Sequence, residues 1–219
     1  IMYFAPFGVF ALIAKTISSV SGDISQISEI LSALVFYMGV VILGLFVHMG
    51  ITYMTLLKIF TTMDIKHFLK SMAPVQLLGF STSSSGATLP VTMKRCEKDL
   101  GISEEISSFV LPLGATINMD GTALYQGVAA VFIAQAVGMD LTLANQFTIV
   151  ATAVLASIGT AAVPGAGIIM LIIILEAINV PSEGIALILG VDRILDMIRT
   201  ATNVTGDATV ASVMDSLER

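Results

Sequence analysis

Long charge-free stretches separated by short polar clusters set the pattern of this chain. The first complete one, Ile30 to Leu57, has no Asp, Glu, Lys or Arg. It exceeds the ~20 residues needed to cross hydrocarbon, so it predicts a tilted transmembrane helix, assigned to 27–60. Ahead of it, Ile1 to Ala14 reads as the apolar end of another helix, here bounded as 1–20, which closes at Lys15 and an exposed Ser18–Ser25 loop. Lys70 and Lys94 then bracket 23 uncharged residues. Basic residues favour the cytoplasmic side, so both ends lie on one side and the segment cannot simply cross. Its centre, Ser81 to Pro90, is rich in hydroxyls and helix breakers. That predicts a re-entrant hairpin over 65–98 whose non-helical tip is buried in protein.

Residues 104–138 predict a crossing helix broken near its middle, at Asn118-Met119-Asp120-Gly121-Thr122. Leu141 to Leu175 is 35 residues without a charge, about 52 Å as one helix against a core of roughly 30 Å. It must fold back, and the break is Ser157 to Gly167, giving a second hairpin over 141–178. Its flanks carry Asp140, Glu176 and Glu183 but no Lys or Arg, which places it on the outer side. The last element, 183–217, carries Asp192, Asp196, Arg199, Thr200, Asn203 and Asp207 in an apolar run. At roughly 100° per residue these six share one helical face about 100° wide. A face that polar needs a partner.

Hairpin then broken helix, followed by hairpin then polar-faced helix, makes a weak inverted repeat. The two tips share spacing, Ser83 to Pro90 and Ser157 to Pro164. Paired interruptions of this kind point to a transporter site near the bilayer midplane.

Composition agrees: 56% hydrophobic, 12% charged, mean hydropathy +0.95, against roughly 25% charged for a soluble domain. The chain reads as an all-α integral membrane protein; the alternation of a membrane β-barrel is not visible. The net charge of −6 says little about partners, because the charges sit in short loops and in the core, and no nucleic acid is expected. Lys58, Lys66, Lys70, Lys94, Arg95 and Lys98 place the 58–98 region in the cytoplasm. Cys96 is the only cysteine, so neither a disulfide framework nor a cysteine metal site is expected. The chain opens apolar, without an initiator Met or basic n-region, unlike a signal peptide. It is expected to be a fragment lacking an N-terminal part.

Four motifs, SSSGATLP, LPLGATINMDGTALYQG, SIGTAAVPGAG and GVDRILDMIRTATNVTGD, resemble in order the glutamate transporter family, the dicarboxylate/amino acid:cation symporters. The resemblance covers nearly the whole chain. It implies an elevator mechanism in which a mobile transport domain, here 27–219, moves against a trimeric scaffold, with 1–20 the end of a scaffold helix. It implies a multi-pass protein of a plasma or bacterial inner membrane, a homotrimer at full length, that is not an enzyme. No cofactor is implied beyond sodium as the coupling ion, and the partners are an acidic amino acid, sodium and the lipid bilayer.

The same resemblance implies that Arg199 pairs with the substrate's side-chain carboxylate, and a planar guanidinium suits that bidentate contact. Asp196 takes the amino group, favouring an acidic amino acid over a plain dicarboxylate. Ser83, Ser84 and Ser85 of the first tip, Val163 and Gly167 of the second, with Thr122, Thr200 and Asn203, complete the implied substrate site. Sodium falls to Asn118, Asp120, Asn203 and Asp207 with backbone oxygens around Gly114, Thr116, Met119, Ser157, Ile158 and Thr160. Some relatives carry an arginine where this chain has Ser83, and Arg193 is the expected substitute for that charge.

Other readings remain at this stage. Asp192, Asp196, Arg193 and Arg199 could pair as structural glue, though carboxylates at the bilayer centre cost roughly 2.5 kcal/mol or more each. Asp120 could be a helix-start cap. A proton-coupled C4-dicarboxylate symporter, an intramembrane hydrolase and a channel are the alternative functions; the hydrolase lacks a base near its serines. His48 reads as a packed or interfacial residue, and His67 as a loop residue.

Overall fold

A computed structural model describes residues 24–218, and the expected helix over 1–20 lies outside the described residues. Every regular element among them is helical. Helix α1 (Ile24–Val47) runs through a π-turn (His48–Tyr53) into α2 (Met54–Phe60). There follow α3 (Ile65–Thr82), α4 (Ser85–Lys98), α5 (Glu104–Ile117), α6 (Asp120–Ala136), α7 (Leu143–Ile158) and α8 (Ala166–Ala177). A 3₁₀ turn (Ser182–Leu187) leads into α9 (Leu189–Glu218).

The helix starts follow from local chemistry. Asp64 accepts from the His67 N–H at 2.9 Å and Ser84 from Ala87 N–H at 3.2 Å, while Thr142 accepts from Asn145 N–H at 3.2 Å. Each satisfies a backbone donor that a helix N-terminus leaves without a partner. Ser103 does the same for α5, where Glu104 and Glu105 in the first turn complement the helix dipole. His67 therefore sits in the first turn of α3, not in a loop.

Where the two hairpins are expected, consecutive helices pair, α3 with α4 and α7 with α8. The first turns on two residues only, Ser83 and Ser84, with Ser83 in the left-handed region at φ 52. The second has a longer connection, Gly159 to Gly165. The matched spacing of the two prolines does not carry over into structure: Pro90 lies inside α4, whereas Pro164 lies in the connection. The break between α5 and α6 is likewise shorter than expected, Asn118 and Met119 alone.

Helix α9, 30 residues long, is the element the others pack around; α1 to α6 all touch it. One apolar core joins α1, α6, α7, α8 and the start of α9 through Tyr37, Leu45, Ile133, Leu171, Ile174 and Leu195. A second joins α2 to α5 and the far half of α9 through Leu57, Phe68, Met72, Leu111 and Val204. Between them the polar face of α9 is fully enclosed: Asp192, Asp196, Arg199, Thr200, Asn203 and Asp207 are each at most 8% exposed. Large apolar side chains instead cover the outside, among them Val35, Phe36, Phe109, Phe147 and Leu155. That inversion is what a hydrocarbon solvent permits. Ser28–Phe60, 33 residues, is the one stretch among the described residues long and apolar enough to span a bilayer as a single helix; α7 and α8 are shorter apolar helices.

Candidate functional site

The two helix-pair tips meet each other over the middle of α9. Ser84 Oγ donates to the Ala162 carbonyl at 2.7 Å, and the Gly86 N–H reaches the same oxygen at 3.3 Å. Beneath this contact the tips, the α5–α6 break and α9 enclose a cavity of about 20 Å³, room for about one water molecule. Ser83, Ser85, Met119, Thr122, Thr160, Val163, Gly167, Asp196, Arg199, Thr200 and Asn203 line it, together with Ala161 and Ala162. Segments as far apart in sequence as 83 and 203 thus converge on one chamber.

Its floor is the Arg199–Asp196 pair, one turn apart on α9, with Nη2 to Oδ1 at 2.5 Å. The second carboxylate oxygen of Asp196 accepts the Gly165 N–H from the second tip at 2.9 Å. Arg199 lies over the Tyr125 ring, 4.3 Å from its centroid, and Tyr125 donates its hydroxyl to Asp192 Oδ1 at 2.6 Å. The cation–π contact and the Asp196 carboxylate therefore hold the guanidinium in one plane, and Asp192 steadies the ring it lies over. One group on it stays unused: among the described residues Arg199 Nη1 is buried without a hydrogen-bond partner, as is Ser83 Oγ of the first tip. Unpartnered buried polar atoms are costly, so these two mark places where a water or another polar group would be stabilised.

Gly167 is required here. A Cβ on it would stand 2.7 Å from Arg199 Nη1, so any larger residue displaces the guanidinium. Gln126 fixes the same strand of backbone, donating from Nε2 to the Gly167 carbonyl at 3.0 Å.

A second cluster lies alongside, at the α5–α6 break. Asn203 bridges it to the chamber, donating to Thr122 Oγ1 at 3.0 Å and accepting the Gly121 N–H at 2.9 Å. Asn118 donates from Nδ2 to Asp207 Oδ1 at 3.1 Å. Asp120 Oδ2 accepts from Tyr53 OH at 2.6 Å and from His48 Nε2 at 2.8 Å, and its Oδ1 accepts the Gly121 N–H at 2.9 Å. Carboxylates, an amide and the backbone of a broken helix make a set of hard oxygen ligands suited to a small cation.

Gly114 lets α5 and α9 approach, since a Cβ there would fall 2.7 Å from Asp207 Oδ1. Gly114→Ala is expected to force that carboxylate aside and cost about 1–3 kcal/mol of stability by overpacking. Thermal unfolding of the purified protein checks this; an unchanged melting temperature would contradict the close approach.

Not every expected residue joins these clusters. Ser157 is buried at the end of α7 with its hydroxyl on the Val154 carbonyl, while the side chains of Thr116 and Ile158 point outward and Thr116 Oγ1 donates to the Leu113 carbonyl of its own helix; the expectation for these three concerns their backbone oxygens, on which the side-chain positions do not bear. Arg193 is exposed and does not line the chamber, because one residue beyond Asp192 turns a helical side chain about 100° off the polar stripe. Conversely, His48, Tyr53, Tyr125 and Gln126 were not foreseen. His48, expected to be a packed or interfacial residue, instead binds a carboxylate.

A model described as the sodium:dicarboxylate symporter family matches residues 1–217. The chain is 40% identical over 214 residues to the excitatory amino acid transporter of Caenorhabditis elegans, covering 98% of this chain and 42% of that protein. It is 41% identical over 219 residues to excitatory amino acid transporter 1 of Rattus norvegicus and 43% to excitatory amino acid transporter 3 of Mus musculus, all of this chain and 40% and 41% of those proteins. It thus spans about two fifths of the length of these relatives.

Proposed function

Because this chain belongs to the sodium:dicarboxylate symporter family, and is therefore of a membrane transporter class that uses sodium, we propose that it carries an acidic amino acid, aspartate or glutamate, into the cell with sodium. The observation that carries the reading is the pairing of a buried guanidinium that keeps an unpartnered nitrogen, Arg199, with a carboxylate one turn away, Asp196, under two touching tips. Arg199 takes the side-chain carboxylate of the substrate through two parallel hydrogen bonds. Asp196 takes its ammonium, and Ser83 to Ser85, Thr122, Thr200 and Asn203 supply the remaining polar contacts. A cavity of about 20 Å³ is far below the volume of an amino acid, so the tips must part to admit it. The relatives named as excitatory amino acid transporters support the choice of substrate.

Sodium binds at Asp120, Asn118, Asp207 and Asn203 with carbonyl oxygens of the α5–α6 break. The helix pairs α3–α4 and α7–α8 enter the bilayer from opposite faces without crossing it, and α1–α2, α5–α6 and α9 cross it. Residues 27–219 move together as the transport domain of an elevator, against a scaffold that forms a homotrimer in the full-length protein. The test is uptake of radiolabelled aspartate and glutamate by the full-length protein in proteoliposomes under imposed gradients. Uptake driven by an inward sodium gradient is expected. Uptake of succinate driven by a proton gradient, with no response to sodium, would establish the dicarboxylate alternative instead.

A further inference from the structure

We propose that the π-turn at His48–Tyr53 is a positioning device for Asp120: His48 and Tyr53 together fix one carboxylate oxygen so that the other is presented to the coupling cation. The inference rests on the reading of Asp120 as a sodium ligand given above. It concerns two residues on a helix that contributes nothing to the substrate chamber.

Residues five apart on an α-helix point about 140° away from each other, so a regular helix could not aim both His48 and Tyr53 at one atom. The π-turn closes i to i+5 and brings them onto the same side. Their rings accordingly touch edge to face, centroids 4.8 Å apart at 71°. Both reach Asp120 Oδ2, from 2.8 and 2.6 Å. A carboxylate oxygen has two good acceptor positions, so Oδ2 is saturated. Among the described residues Oδ1 accepts only the Gly121 N–H, at 2.9 Å, and keeps one position open to them.

The opposing helix is shaped to allow this. Gly206 of α9 faces Tyr53, and a Cβ there would lie 2.6 Å from the Tyr53 hydroxyl and 3.1 Å from Asn118 Nδ2. Tyr53 itself is 3% exposed, so its hydroxyl has no competing water and its bond to Asp120 is short. The π-turn therefore has a consequence of its own: one extra residue in a helix sets the rotamer of a cation ligand on another helix. Donors that orient a ligating carboxylate typically change metal affinity 10–100-fold when removed.

The experiment is sodium-dependent aspartate uptake by the full-length protein in proteoliposomes, in the wild type and in Tyr53→Phe, His48→Leu, His48→Gln and Asp120→Asn. Tyr53→Phe and His48→Leu are expected to raise the half-saturating sodium concentration about tenfold. The shift appears far more in sodium half-saturation than in the aspartate KM measured at saturating sodium. His48→Gln keeps an amide donor at the same reach and is expected to recover most of the loss. Wild-type sodium half-saturation in both Tyr53→Phe and His48→Leu, with Asp120→Asn shifted, would overturn the positioning role and leave the transport reading intact. A fall in maximal rate and melting temperature with no shift in sodium half-saturation would overturn it as well, assigning the pair to packing. If wild type and Asp120→Asn both transport without sodium, the reading on which the inference rests fails instead.

Discussion

Arg199→Ala is expected to lower uptake of aspartate and glutamate at least a hundredfold while small neutral amino acids gain entry. Removing one partner of a buried ion pair costs roughly 3–5 kcal/mol, chiefly because the remaining charge is left alone. Here that charge is Asp196, 4% exposed and bonded to Arg199 at 2.5 Å. The substrate ammonium can still neutralise Asp196, so the variant pocket selects for a zwitterion without a side-chain carboxylate. Competition of labelled serine and aspartate for uptake reads this directly. Normal aspartate uptake in the variant would mean that Arg199 only braces α9 and Tyr125, and that the carboxylate binds elsewhere.

Asp207→Asn is expected to raise the half-saturating sodium concentration tenfold or more with a smaller effect on aspartate affinity at saturating sodium. Asp207 is 3% exposed and its hydrogen-bond partner is the amide of Asn118, with no Lys or Arg among the described residues paired to it. An isolated carboxylate in a dry site is costly unless a cation joins it. Substituting the isosteric amide removes the charge and leaves the shape, so folding should hold while cation affinity falls. Uptake across a sodium series checks it. Unchanged sodium dependence would remove Asp207 from the cation site.

The polar stripe of α9 was legible in the sequence because a long helix obeys one period, and six residues on that period can only share a face. The helix pairs were legible from chain length against bilayer thickness: 35 uncharged residues cannot form one crossing helix. Arg193 was misplaced because adjacency in sequence to Asp192 was read as adjacency in space, which a helix denies. The proline spacing misled for a related reason. Pro90 sits in the second turn of α4, where it forgoes one bond of the helical ladder yet leaves the helix continuous, whereas Pro164 falls in a true connection. His48 and Tyr53 could not have been found by any 3.6-residue period, since only the π-turn aligns them. Tyr125 and Gln126 looked like ordinary members of an apolar run; nothing in their spacing announces a ring beneath a guanidinium or an amide on a glycine carbonyl.

Sodium-linked aspartate binding to the purified full-length protein, followed by calorimetry across a sodium series, probes the shared site most directly. Asn203 joins the substrate chamber to the cation cluster through Thr122 and the Gly121 N–H, at 3.0 and 2.9 Å, so occupancy of one should tighten the other reciprocally. The predicted result is that aspartate affinity rises with sodium with a log–log slope of at least one below saturation, and that the slope flattens in Asn203→Ala. An aspartate affinity independent of sodium would contradict a common site on α9.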